Sequence, residues 1–221
     1  MSVAVESEIR VLEIDRDDVV SRIQRLGGKH HFSGRLTTFY LERLDTPTYA
    51  DSHQSFRVRL TDGWDYITAG TTNLTKRAFY TELTIKTKKD SKDKKGTDSR
   101  ERFENNTARY ECDELSNVLR DQLLARHYVK ASEEKLRDSY QRDRIKFELD
   151  HVQKTLTLGD RVLPLFLEIE TPYSELTCAT VEELGFSLDD PRVVSWSMSD
   201  ILRFYSKKWG VPLTTPPNVI R

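Results

Sequence analysis

The 221-residue sequence has few of the residues that interrupt or cross-link a chain. It contains nine glycines, seven prolines and two cysteines, Cys112 and Cys178, whose spacing matches no metal-binding motif. No apolar run approaches the roughly 18 residues that a membrane-spanning helix requires. The N-terminus also lacks the basic and apolar segments of a secretory signal. We therefore expect a cytoplasmic protein with reduced thiols and no membrane partner.

The sequence also lacks an excess of charge of either sign. Lys and Arg total 35 and Asp and Glu total 36, which gives a net charge of −1. This balance argues against the uniformly basic surface of a nucleic-acid-binding protein. No linker or internal repeat divides the chain. We predict a single domain over residues 1–210 and a C-terminal tail over residues 211–221.

Alternation of polar and apolar residues recurs along the chain and predicts about eight β-strands. Four other segments have the period of an amphipathic helix. Because the strands mostly follow one another without crossover helices, the pattern favours an α+β fold with helices outside an antiparallel sheet, open or closed. The predicted strands are 3–13, 29–42, 55–61, 81–89, 100–105, 131–142, 144–154 and 165–170, and the predicted helices are 15–26, 113–126, 174–184 and 199–208.

The charged residues of these strands keep to one side of each strand. Glu6, Glu8 and Arg10 share a side of the first strand, and Glu168 and Glu170 share a side of the last. A sheet with one solvated face gives such alternation by itself. Here, however, acidic pairs lie on the outer strands and basic pairs on the strands between them, whereas a solvated face more often mixes the signs. We predict that the charged side faces the interior of a closed sheet.

A charged interior requires a charged ligand, because buried ions need partners. The inward cationic groups indicate a polyanion, which the inward carboxylates can approach only through divalent cations. Oxygen ligands without His or Cys favour Mg²⁺ or Mn²⁺. This combination predicts a site for a polyphosphate or for the phosphates of a nucleotide.

The first of these strands carries a family signature. Glu6-x-Glu8-x-Arg10 resembles the ExExK motif of the CYTH superfamily, the triphosphate tunnel metalloenzymes. That superfamily includes class IV adenylyl cyclases and thiamine, inorganic and RNA triphosphatases. The resemblance spans about residues 3–208, because further motifs follow in order: Arg57-x-Arg59, ELTIKTK with Lys86 and Lys88, RERFE at 100–104, KLRDSY at 135–140, FELDHV with Asp150, and FLEIET with Glu168-x-Glu170.

The resemblance implies an eight-stranded antiparallel β-barrel tunnel with helices packed outside. It also implies a triphosphate among basic side chains, beside one or two divalent cations, Mg²⁺ or Mn²⁺. By strand parity alone, Glu104 is added as a further acid. The implied metal ligands are Glu6, Glu8, Asp150, Glu168 and Glu170; the implied catalytic residues are Glu168, Glu170 and Arg10; the implied substrate-binding residues are Arg57, Arg59, Lys86, Lys88, Arg100, Lys135 and Arg137.

Two features depart from the family pattern. Arg10 stands where the signature has Lys, so it keeps the charge but offers a planar fork of donors. Residues 61–77 are longer than a minimal hairpin requires, and we predict a surface insertion there rather than a lid.

The expected activity is metal-dependent hydrolysis of an inorganic, nucleoside or other organic triphosphate. One alternative is class IV adenylyl cyclase activity, which makes cyclic AMP from ATP. Another is a non-catalytic protein that binds polyphosphate or nucleotide. The expected partner is a small molecule with a triphosphate, and a nucleic acid is expected only as an RNA 5′-triphosphate end. The resemblance allows a homodimer.

Overall fold

A computed structural model of the chain describes residues 4–43, 54–69, 72–88, 100–111 and 127–214, with side chains described for 6–41, 57–67, 74–84, 129 and 131–214. The described residues form nine strands and three helices. In chain order they are β1 (Ala4–Val11), α1 (Arg16–Arg25), β2 (Lys29–Arg43), β3 (Gln54–Ala69), β4 (Thr72–Lys88), β5 (Arg100–Glu111), β6 (His127–Arg142), β7 (Ile145–Thr155), β8 (Phe166–Thr171), α2 (Ser174–Glu183), β9 (Val193–Val194) and α3 (Met198–Trp209).

The strands form one antiparallel sheet in the order β5-β4-β3-β2-β6-β7-β8-β1-β9. β1 pairs with β8 through residues 7–11 and with β5 through residues 4–8. The pairings therefore pass through all eight long strands and return to β1. β9 adds a short pairing to the end of β1 at Arg10 and Val11. The predicted α+β fold, an eight-stranded antiparallel sheet with helices, is confirmed, and the return to β1 supplies the closure expected of a barrel.

The main hydrophobic core lies outside this ring of strands. α1 begins at Asp15, whose carboxylate accepts a hydrogen bond from the backbone N–H of Asp18, and it buries Val19 and Ile23. α2 buries Val181 in the same cluster. These helices pack on the apolar sides of β1, β7 and β8, so the opposite sides of those strands face the interior. The strand residues of this core include Ile9, Val11, Phe147, Leu149, Leu167 and Ile169.

α3 lies at one end of the interior. Its buried residues Ile201 and Tyr205 pack against Leu12, Val152 and Phe166. Every second residue of β1, β7 and β8 faces the interior, and these three apolar residues occupy the inward-facing positions next to the charged ones. The helix therefore covers the apolar end of a charged interior.

The ends of α3 are well defined. It begins with a capping box between Ser197 and Asp200 and ends at Gly210, whose φ of 64° is left-handed. Across the described residues, no helix has both the length and the apolar composition that crossing a membrane requires.

The predicted surface insertion at residues 61–77 is wrong. β3 continues to Ala69 and β4 starts at Thr72, and the two strands pair without interruption up to that point. The long β2 pairs with β3 as far as Asp65, which gives the extension a partner. Asp62 and Gly63 have low strand propensity, so pattern alone ends the strand too early.

Two predicted segments lie wholly or partly outside the described residues. The predicted helix at 113–126 lies outside the described residues. Of the predicted tail, residues 215–221 also lie outside them. At its start, Thr214 donates its backbone N–H to the carbonyl of Thr157 at 2.9 Å.

Candidate functional site

The charged sides of β1, β6, β7 and β8 are buried inside the ring of strands. Glu8 is 1% exposed, Asp150 0% and Lys135 3%. Burial of ionised groups to this extent is costly unless opposite charges lie beside them. The interior is therefore a site of concentrated charge. The strand register determines which of its charged residues face one another.

Two groups of carboxylates form where acidic residues face one another across paired strands. Glu8 lies directly opposite Glu170, and Glu148 lies directly opposite Glu168. Like charges in this position destabilise a sheet unless a cation lies between them. The first carboxylate group is Glu6, Glu8 and Glu170; the second carboxylate group is Glu148, Glu168 and Glu170; within each, one ligand atom per residue lies within 4.8 Å of the others.

The composition of these groups fits a hard divalent cation. Each offers three buried carboxylates and neither includes Cys or His, which is the donor set that Mg²⁺ or Mn²⁺ prefers. Glu170 belongs to both groups, so it would help to hold a cation at either of them. Glu170 also contacts Lys146, whose Nζ lies 3.2 Å from Glu170 Oε2.

Arg10 joins the two carboxylate groups. Its Nη2 lies 2.6 Å from Glu168 Oε1, and its Nη1 lies 3.4 Å from Glu8 Oε1. Nη1 also donates to the backbone carbonyl of Trp196, just before α3. Burial opposes the charge of Arg10, but the carboxylates of Glu168 and Glu8 outweigh burial and raise the pKa of Arg10. The planar fork thus fixes carboxylates from two strands at once.

Arg137 and Lys135 bind Asp150. Arg137 donates to both carboxylate oxygens of Asp150 at 2.6 Å, and Lys135 donates to Asp150 Oδ2. Burial alone would raise the pKa of Asp150, but Arg137 and Lys135 lower it. Asp150, predicted as a metal ligand, lies in neither carboxylate group. In this structure Asp150 instead fixes two basic side chains that were predicted to bind substrate, Arg137 and Lys135.

The two acids of the second group that face each other have opposite pKa shifts. Burial would raise the pKa of Glu168, but Arg10, Lys135 and Arg137 lower it well below its usual range. Burial raises the pKa of Glu148 to about 7; Arg137 opposes this rise, and Glu170 and Glu168 reinforce it. Glu148 is therefore the acid that takes up a proton near neutral pH when no cation balances the group.

Sequence patterns missed Glu148 and Lys146 as site residues. The resemblance supplied only Asp150 on this strand, but Glu148 and Lys146 share its side of β7, so strand parity alone places all three together. That side of β7 carries a base followed by two acids, so it lacks the single-sign pairs that drew attention to β8 and to the start of β1. Glu148 is buried, whereas the side chain of Lys146 is 58% exposed, and the carboxylate of Glu170 raises the pKa of Lys146.

The remaining predicted bases lie on β3, β4 and β5. Arg57 is buried, and Arg59 donates from Nε to Thr38 Oγ1 at 3.4 Å. The backbone of β5 places Arg100 directly opposite Glu8. Lys86 and Lys88 lie on β4, and Arg100 and Glu104 lie on β5, with side chains outside the described ones.

Comparison with known proteins gives structural matches only. No family model and no curated protein matches the sequence. The PH1012 protein from Pyrococcus horikoshii OT3 is 20% identical with a TM-score of 0.55, covering 88% of this chain and 98% of its own. A conserved hypothetical protein from Pyrococcus furiosus is 16% identical with a TM-score of 0.58, covering 88% of this chain and 98% of its own.

A third matched structure bears on the sequence resemblance. A protein from Vibrio parahaemolyticus, proposed to be an adenylate cyclase, is 12% identical with a TM-score of 0.58, covering 91% of this chain and 99% of its own. At such identities the likeness is one of fold. At that level the matches agree with the fold that the sequence resemblance implies.

Proposed function

We propose that this chain, which has the fold of the CYTH superfamily, hydrolyses a triphosphate with the help of Mg²⁺ or Mn²⁺. The observation that supports the proposal is the pair of carboxylate groups that share Glu170, buried beside Arg10, Lys135 and Arg137. Places for two cations next to fixed guanidinium and ammonium groups suit a substrate with several negative charges in a row.

Each set of residues has a distinct role in this proposal. Arg57, Arg59, Lys135 and Arg137 bind phosphate oxygens, as do Lys86, Lys88 and Arg100 on their strands. Glu6, Glu8, Glu148, Glu168 and Glu170 would hold the cations, which supply neutralisation of phosphate charge and polarisation of a water molecule.

The chain itself supplies orientation. Arg10 fixes Glu168 and Glu8, and Asp150 fixes Arg137 and Lys135, so both the acids and the bases are held before substrate arrives. Glu168 and Glu170 then orient the attacking water against the terminal phosphorus. Catalysis of this kind depends on positioning and electrostatic stabilisation more than on covalent chemistry.

Substitution of the shared acid tests the proposal. Glu170→Gln keeps the shape of the side chain but removes its charge from both carboxylate groups, and we expect phosphate release to fall about 100-fold or more. Glu168→Ala and addition of EDTA are expected to have a similar effect. Glu175→Gln, in the first turn of α2, is the control. Undiminished phosphate release by Glu170→Gln would contradict the proposal.

A second candidate activity is suggested by the Vibrio parahaemolyticus protein, which is proposed to be an adenylate cyclase. In that reaction the nucleophile is a ribose hydroxyl of ATP, and the products are cyclic AMP and pyrophosphate. Incubation with ATP and Mn²⁺ distinguishes the activities: phosphate indicates hydrolysis and cyclic AMP indicates cyclisation. Tight binding of tripolyphosphate without either product would indicate a non-catalytic binding protein.

A further inference from the structure

A third acidic position lies in the interior, away from the carboxylate groups. Glu133 is on β6, on the same side as Lys135 and Arg137, and lies directly opposite Thr38 of β2 and Thr155 of β7. It is 4% exposed. Sequence patterns do not single it out, because the two residues after it are Glu134 and Lys135 and the local signs are mixed.

Among the described residues, the contacts of Glu133 involve one of its two carboxylate oxygens. Oε1 accepts a hydrogen bond from the hydroxyl of Tyr40 at 3.3 Å and lies 3.9 Å from Lys135 Nζ. Oε2 is buried and has no hydrogen-bond partner within the part of the chain that the structure describes. Buried carboxylate oxygens are nearly always paired, because an unmade hydrogen bond to a charged group is costly. The atom therefore indicates a place for a hydrogen-bond donor from outside the chain.

The chemistry of the interior restricts what that donor can be. Among the described residues, Glu133 belongs to neither carboxylate group, so it has no neighbouring acids with which to hold a cation. A phosphate oxygen carries negative charge and would be repelled. A suitable donor is an N–H or O–H of an organic group, bound next to the phosphates.

The order of side chains along β6 indicates how a bound triphosphate ester would be oriented. Glu133, Lys135 and Arg137 follow one another on the inner side at intervals of about 7 Å, since each strand residue advances about 3.3 Å. Arg137 is at the end nearest the second carboxylate group, where it contacts Glu148 and lies 3.7 Å from Glu168. A triphosphate ester has a matching order: an organic group with donors, then three phosphates.

We propose that Glu133, supported by Tyr40, binds an N–H or O–H of the organic group esterified to the triphosphate, with the terminal phosphate toward Arg137 and the carboxylate groups. The inference rests on the proposed function for the identity of the triphosphate. It makes organic triphosphates, rather than inorganic triphosphate, the substrate class of this site.

The test compares substrates with and without an organic group. We measure kcat/KM with Mn²⁺ for ATP, thiamine triphosphate and inorganic tripolyphosphate in the wild type, Glu133→Gln and Glu133→Met. Removing the charge and then the acceptor is expected to lower kcat/KM for at least one organic substrate about tenfold or more, in the order wild type, Gln, Met. Tripolyphosphate hydrolysis is expected to stay within about threefold of wild type or to rise, since a repulsive charge is lost.

The neighbouring residue supplies the control. Glu134 lies on the outer side of β6, where its Oε1 is 3.2 Å from Arg35 Nη1, and Glu134→Gln is expected to leave every ratio unchanged. Equal losses for organic and inorganic substrates in Glu133→Gln would overturn the inference, because they would indicate a structural role. So would unchanged ratios in both Glu133 variants.

Failure of the inference can be separated from failure of the proposed function. If the wild type releases phosphate from none of the three compounds, hydrolysis is contradicted, and the same comparison is made by calorimetric titration of ATP and tripolyphosphate in Mn²⁺. A tenfold loss of ATP affinity that spares tripolyphosphate in Glu133→Gln supports the Glu133 contact without turnover. An unchanged affinity ratio overturns it.

Discussion

At the scale of single residues, the environment of Glu148 differs from that of the acid opposite it. Glu168 has three cations near it and keeps its charge, whereas Glu148 has Arg137 on one side and the acids Glu170, Glu168 and Asp150 around it. Without a cation the folded state relieves this repulsion by taking up a proton at Glu148. Proton uptake by the fold makes its stability depend on pH.

We predict that the metal-free protein becomes less stable between pH 5 and pH 8. The pKa of Glu148 is about 7 in the fold, above the value of about 4.3 in an unfolded chain. A raised carboxyl pKa stabilises the folded state at low pH, and that contribution is lost as the pH rises through 7. Urea unfolding in EDTA should show a loss of about 1–3 kcal/mol relative to Glu148→Gln. A flat difference between the two proteins over this range would contradict the prediction.

The opposite sign applies at lower pH. The pKa values of Glu168 and Asp150 are lowered by their cationic neighbours, so their contribution to stability is present above about pH 4 and is lost on further acidification. The pH window from 5 to 8 therefore isolates Glu148 from these two acids.

The individual acids of β1 and β8 could be predicted from sequence, and their neighbours could not. Two acids on one side of a single strand can be recognised without knowing its partner strand, as for Glu6 and Glu8 on β1 and for Glu168 and Glu170 on β8. Whether an inward acid such as Asp150 faces a base or another acid depends on the register between β6 and β7. That register includes a shift between Glu134 and Lys135, which no local pattern reveals.

At the scale of elements, the β3–β4 hairpin shows where strand patterns fail. Gly63 lies opposite Gly34 of β2, and a Cβ at Gly63 would lie 2.4 Å from the carbonyl oxygen of Ser33. The residue is needed for close approach of two strands, although in sequence it resembles the start of a turn. The sequence pattern predicts strands before and after this point. It does not predict that β3 continues through Gly63, because that continuation depends on pairing with β2.

Arg10 connects three elements through one side chain. It bonds Glu168 of β8, Glu8 of its own strand β1, and the carbonyl of Trp196 before α3. The position of the helix that covers one end of the interior is therefore coupled to the carboxylates. A lysine has one nitrogen and cannot match this fork.

We predict that Arg10→Lys weakens the junction without removing the charge. Loss of one or two buried, charge-assisted hydrogen bonds should lower the free energy of unfolding by about 1–3 kcal/mol. Because Glu168 and Glu8 are then less well fixed, the Mn²⁺ concentration for half-maximal activity should rise several-fold. Arg35→Lys, at an exposed ion pair on the outer side of β2, should change stability by less than about 0.5 kcal/mol. Equal stability of Arg10→Lys and Arg35→Lys would contradict the role assigned to Arg10.

At the scale of the whole molecule, the fold places apolar residues outside the ring of strands and charged residues inside it. The helices α1 and α2 supply the outer core, and the interior depends on balance between acids and bases. In the part of the interior whose side chains are described, acids lie directly opposite acids at Glu8–Glu170 and Glu148–Glu168. A divalent cation and a polyanion together would complete that balance, since each compensates the charge that the other leaves.

We predict that Mn²⁺ and tripolyphosphate stabilise the fold cooperatively. An unfolded chain does not bring Glu6, Glu8 and Glu170 together, so a cation that binds only the folded state should stabilise it by about 3 kcal/mol at 100 times its dissociation constant. For a protein of this size that corresponds to a rise in Tm of about 6–12 °C. Tripolyphosphate should add more in the presence of Mn²⁺ than in EDTA. In Glu170→Gln the Mn²⁺ effect should largely disappear, while Glu175→Gln should keep it. A Tm that Mn²⁺ raises equally in both variants would place the cation elsewhere on the protein.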